Sequence, residues 1–270
     1  MSRKRTSCLC HISTTVRDAC VVCLVIRRAP SAPWGTQALI SGGSVVLSMM
    51  LMLSLVFGTS NSRRDDLGSD LSGSLPGLSD LGYAGGRTPA QAAYAAGSGW
   101  VDLNRVAQDD PTQGDLVTSA ESLRRAMYQL EADGGDSSRD LDAFFSRLES
   151  ADLPMASRQQ VLAQGMQVIG LFLELGDPEW VTWFALGEYV RVLTLSSRVS
   201  QQLGLRLADV AEADEAVDVL RQLVDQLESY GVAAPVLQVL HRIQDLLQDY
   251  AVEAAAILEQ TEALLELLSE

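Results

Sequence analysis

Lysine occurs once in this chain, at Lys4, and histidine twice, at His11 and His241. All four cysteines, Cys8, Cys10, Cys20 and Cys23, fall in the first 23 residues. Each scarcity excludes a chemistry. A Gly-rich phosphate cradle that relies on lysine cannot be built after Lys4. A Ser-His-Asp arrangement would have to use His241, and no G-x-S-x-G elbow accompanies it. Metal sites made of histidine and cysteine are excluded beyond the N-terminal segment. No disulfide can form after Cys23, so the rest of the chain must draw its stability from a core. No cofactor is implied.

Bases are also few. Lys and Arg total 20 against 35 Asp and Glu, a net charge of −15 in 270 residues. That balance argues against nucleic acid as a partner. Hydrophobic residues reach 47% and charged ones only 20%, so the chain is not disordered throughout. Apolar runs are too few for a multi-span membrane protein.

The charge is unevenly placed. Residues 1–35 hold six bases and one acid, giving +5, and the other 235 hold 14 bases and 34 acids, giving −20. Between Arg28 and Arg63 there is no charge at all. Within that gap, 36–57 is just long enough for a membrane-spanning helix. Its densest part, Val45–Phe57, has only Ser48 and Ser54 as polar residues. Two readings stand. In one, 36–57 is an uncleaved anchor, with the basic arm 1–35 cytoplasmic and the acidic bulk outside. In the other it is a signal segment cut near Gly58 or Ser60, which leaves an exported protein. A start at Met49 or Met50 would instead leave a short apolar tail. Cys8, Cys10, His11, Cys20 and Cys23 resemble zinc-ligand spacing only loosely; Cys20–Ile26 reads as a small apolar patch, with acylation of membrane-proximal thiols as a further reading.

Residues 58–114 read as a flexible tether. Leu, Gly, Ser and Asp recur through 66–82, and Gly85-Gly86 and Gly97-Ser98-Gly99 follow. Pro89–Ala96 is the one short helix expected there. Trp100, Val101 and Leu103 are the tether residues expected to dock on the folded part.

From 115 to 270 the apolar period becomes helical. The expected fold is all-α: an irregular bundle of about six helices in three antiparallel hairpins, with a long C-terminal helix. Leu116, Ala120, Leu123, Met127 and Leu130 form the first stripe. Leu141, Phe144, Phe145 and Leu148 form the second, behind a cap at Ser138. Ser157 and Gln160 suggest a capping box opening a third helix to about Leu175. Gly176, Asp177 and Pro178 punctuate the turn into a fourth helix that ends at Gly204. Asp209 and Glu212 suggest the start of a fifth, which Gly231 ends. A sixth runs from Val236 to Leu268 with a coiled-coil-like 4-3 alternation. Its end, Ile257, Leu264, Leu265 and Leu268, lies beyond the reach of the preceding helix. It is the expected surface for self-association or a protein partner. Residues 115–270 are expected to fold alone. No residue pattern matches a family motif.

Carboxylates are the only catalytic groups left. Glu188 shares a helix side with Val181, Phe184, Val192 and Leu195, so partial burial could make it a general acid. A structural pair with Arg191 is the plainer expectation. Trp180, Trp183, Phe172 and Phe184 read as core, with an apolar groove as the alternative. The acidic run 133–142 lacks the ligand spacing of a calcium loop. The function expected is therefore a membrane-tethered or exported acidic helical binding or scaffold domain, and not an enzyme. The alternatives are an envelope hydrolase using carboxylates and a soluble protein released by signal cleavage.

Overall fold

A computed structural model describes residues 88–108, 113–130, 136–150, 154–204, 213–249 and 253–269. The basic arm, the apolar segment 36–57 and the Leu/Gly/Ser/Asp run lie outside the described residues. Among the described residues there are eight helices and no strand, so this part of the chain is all-α. None of these helices is long and apolar enough to cross a membrane.

The first helix, α1 (Pro89–Gln108), lies where a tether was expected. Its start is encoded locally. The Thr88 amide donates to Gln91 Oε1 at 2.8 Å, and the Gln91 amide donates to Thr88 Oγ1 at 3.3 Å. This is a reciprocal capping box with proline at the first helical position. Alanines, which favour helix, then carry the chain forward. Every residue from Ala92 to Trp100 is buried. A helix without a polar face has to be enclosed on all sides. The tether reading fails here because Gly, Ser and Ala, which lower average hydropathy, serve as close-packing residues. Trp100, Val101 and Leu103 do dock, each almost wholly buried.

Helix α2 (Gln113–Leu130) packs chiefly on α1. It therefore does not form its main pair with α3 (Asp136–Leu148), as a hairpin reading of 115–148 requires. Helix α3 pairs instead with α4 (Met155–Leu175), where Gly165 leaves room for the Phe144 ring. Helix α4 starts at Met155 with Pro154 as its cap residue and no side-chain cap bond. Ser157 and Gln160 thus lie inside the helix and form no capping box. Proline fixes the entry angle of the chain and takes that role.

The turn into α5 (Pro178–Leu203) forms as the sequence suggests. Asp177 accepts a hydrogen bond from the Glu179 amide at 3.0 Å, Pro178 opens the helix, and Gly204 closes it at φ 63°. Gly176, with φ −88°, is not the left-handed cap expected of it, and its reason to be glycine is steric. A Cβ there would lie 2.3 Å from Trp180. The Trp180 ring also stacks on Phe172, with centroids 6.5 Å apart. Phe172, Trp183 and Phe184 are buried and Trp180 partly so, which makes this cluster core.

Helices α6 (Ala213–Ser229) and α7 (Ala234–Gln248) pack on each other, with Gly231 at φ 76° in the turn between them. Helix α6 is fastened to α5 by Tyr189 Oη donating to the Ala216 carbonyl at 3.0 Å. Thr182 Oγ1 donates to Gln226 Oε1 at 3.1 Å in the same interface.

The single long C-terminal helix does not form. Asp249 and Glu253 are extended, and α8 (Ala254–Leu267) starts afresh. A straight helix from 236 to 268 would reach about 50 Å at 1.5 Å per residue, and its end would stand clear of the core. The break lets α8 fold back onto α5 and α7. The apolar stripe runs through the break unchanged, so periodicity alone does not reveal it. Ile257, Leu264 and Leu268 are buried and Leu265 is partly buried in the core cluster. They are covered within the chain, which corrects their reading as an interaction surface.

Candidate functional site

Helices α1 and α5 form the centre of the bundle, and their seam holds the one chemically notable group. Two glycines set its spacing. A Cβ on Gly97 would lie 2.0 Å from the Phe184 carbonyl oxygen and 2.9 Å from the Glu188 amide nitrogen. A Cβ on Gly187 would lie 2.0 Å from the Tyr94 carbonyl oxygen. The two backbones therefore touch, and each glycine is required by the other helix. Ser98 Oγ adds a hydrogen bond to the Gly187 carbonyl at 3.2 Å. Further along both helices, Val101 packs with Leu195, and Arg191 donates to Asp102. The contacts advance together, so α1 and α5 run in the same sense.

Glu188 sits in this seam. It lies between Phe184, which meets Gly97, and Arg191, which meets Asp102. It is 3% exposed, and its Oε2 has no hydrogen-bond partner among the described residues. Burial alone holds its carboxyl well above the usual carboxylate range. The ion pair with Arg191 expected one turn away is not made. Arg191 gives Nε and Nη2 to Asp102 Oδ1 at 2.9 and 2.8 Å instead. The physical reason is geometric: the backbone contact at Gly97 brings Asp102 within reach of the guanidinium.

The other carboxylate of the seam, Asp102, is taken up by Arg191. Among the described residues no three metal-capable side chains converge. His241 is exposed on α7 and bonds Glu228 Oε1 at 3.1 Å. Ser197 and Ser200 on α5 are wholly buried, and their hydroxyls have no partner among the described residues. No protein-family model, characterised relative or solved structure matches this chain.

The surface has one apolar feature that the stripes did not reveal. Leu171 and Leu175, near the end of α4, are 59% and 75% exposed. With partly buried Val168 they step along one face at i, i+3 and i+7. Ile257, Leu264 and Leu268, expected in the partner surface, are buried, and Leu171 and Leu175 stand open instead. The sequence did carry a signal. Leu171 to Leu175 reads Leu-Phe-Leu-Glu-Leu, which puts apolar residues on more than one face of the helix.

Proposed function

We propose that this chain is an acidic helical binding or scaffold domain, held at a membrane or exported by its N-terminal segment. The observation that carries the binding reading is the ridge of exposed Leu171 and Leu175 continued by partly buried Val168. That spacing matches the anchor pattern by which one helix face enters an apolar groove of a partner. Every other large apolar stripe described is buried, so this ridge is the natural contact for a protein partner. The burial of Glu188 supports the same reading over a hydrolase, since a general acid has to meet substrate. The charge gap before Arg63 and the basic arm support the membrane or export part.

Full-length chain carrying Leu171→Asp and Leu175→Asp tests the ridge. Its helix content and unfolding midpoint should match wild type, because exposed substitutions usually change stability by no more than about 0.5 kcal/mol. Its complexes, with itself or another protein, should be lost in cross-linking and sedimentation. Unchanged complexes, or a wild type that forms none, would refute the reading. Alkaline extraction of a membrane fraction tests the anchor, and full-length protein in the soluble cytoplasm would refute it.

A further inference from the structure

We infer that Glu188 is a proton-operated latch between α1 and α5. The neutral carboxyl lets the glycine seam close, and the ionised one loosens α1. Three observations combine. Glu188 is 3% exposed, and its amide nitrogen stands where the two backbones touch, 2.9 Å from the place a Gly97 Cβ would take. Its Oε2 has no partner to share a negative charge. The backbones meet so closely at Gly97 and Gly187 that not even a methyl group fits between them.

No neighbouring charge can take over this role. On α1, Asp102 is bound by Arg191, and Arg105 lies two turns beyond Gly97. On α8, Glu262 acts on Arg198 of α5. On α6, Asp218 and Asp225 face solvent, as does Glu174 on α4, and Arg158 of α4 lies near that helix's start. None of these acts on the Glu188 carboxyl, whose pKa burial alone raises.

The direction follows from linkage. The closed state binds the proton more tightly than an opened or unfolded one, in which the carboxyl returns to its ordinary value near 4.5. Closure is therefore fully favoured below that value. It weakens as pH rises towards the raised value of the closed state, and levels off beyond it.

Hydrogen exchange of the full chain, from about pH 5 to about pH 9 with intrinsic rates divided out, reads the latch directly. Peptides from 89–108 should open more as pH rises, by up to roughly tenfold per pH unit over part of the range. Peptides from the α6–α7 pair should not. Glu188→Gln keeps the shape and removes the charge, so it should flatten the response of 89–108. An equal slope in wild type and variant, or no slope in wild type, would overturn the proposal. Should Glu188→Gln fail to fold, infrared spectroscopy of wild type decides. A protonated carboxylic-acid carbonyl band at neutral pH is expected, and its absence refutes the latch.

Discussion

Arg191 on α5 reaches Asp102 on α1 through two nitrogens, both within 3 Å of one carboxylate oxygen. Arg191 is 13% exposed and Asp102 25%. A pair so far from water is costly to break from one side, since the remaining partner is left half-buried. Asp102→Asn should lower unfolding free energy by about 1–3 kcal/mol. Added salt should affect wild type little, because the pair is poorly screened. Urea denaturation at two salt concentrations measures both.

The glycine seam makes a sharper prediction. Gly97→Ala and Gly187→Ala would normally favour a helix through propensity. Here each added methyl meets a backbone carbonyl, which cannot rotate aside as a side chain can. Each should cost about 3 kcal/mol or more. Thermal unfolding by circular dichroism suffices, and a stabilised Gly97→Ala would mean that the two backbones do not touch.

These residues show what was legible beforehand. The punctuation at Asp177, Pro178 and Gly204 is local chemistry, and the fold uses it as read, whereas Gly176 keeps a negative φ and is no left-handed cap. The stripes of 116–130 and 141–148 bury the expected faces. Glycine in α1 could not be read the same way, because its meaning depends on α5, some 90 residues away. The break near Asp249 was hidden for a related reason: the packing of α8 on α5 and α7 decides it, and no proline or glycine marks it. Glu188 was found by its apolar neighbours, but its partnerless state depends on where Arg191 points.

Helix α3 offers a test of local fit. A Cβ on Gly165 would lie 2.1 Å from the Phe144 ring, which packs between Trp100 and Phe145 at centroid distances of 6.4 and 4.9 Å. Gly165→Ala should cost about 1–3 kcal/mol. Phe144→Leu should also destabilise, by leaving a void. Together they should cost less than their sum, because the smaller side chain makes room for the methyl. A double-mutant cycle gives the coupling, and strict additivity would place Phe144 away from Gly165.

Boundaries follow from α1. A chain beginning at 88 should unfold cooperatively. A chain beginning at 113 lacks the helix that fills the centre and should behave as an expanded, dye-binding state without a sharp transition. This replaces the expectation that 115–270 is self-sufficient. Near-ultraviolet circular dichroism and calorimetry of the two chains decide between them.

Gln91 has one further contact. While its Oε1 caps the start of α1, its Nε2 donates to the Leu268 carbonyl at 2.7 Å. The first helical turn of the described fold is thus tied to its last, some 177 residues later. A short Gly/Ser loop could splice those two ends, and the ring could be reopened at Gly231, in the exposed turn between α6 and α7. Chain order would be rewritten while every helix kept its neighbours, as adjacent ends allow. In the natural order the same adjacency has a directional result. A cargo fused behind Leu268 leaves the bundle beside the start of α1, where Gln91 holds the Leu268 carbonyl.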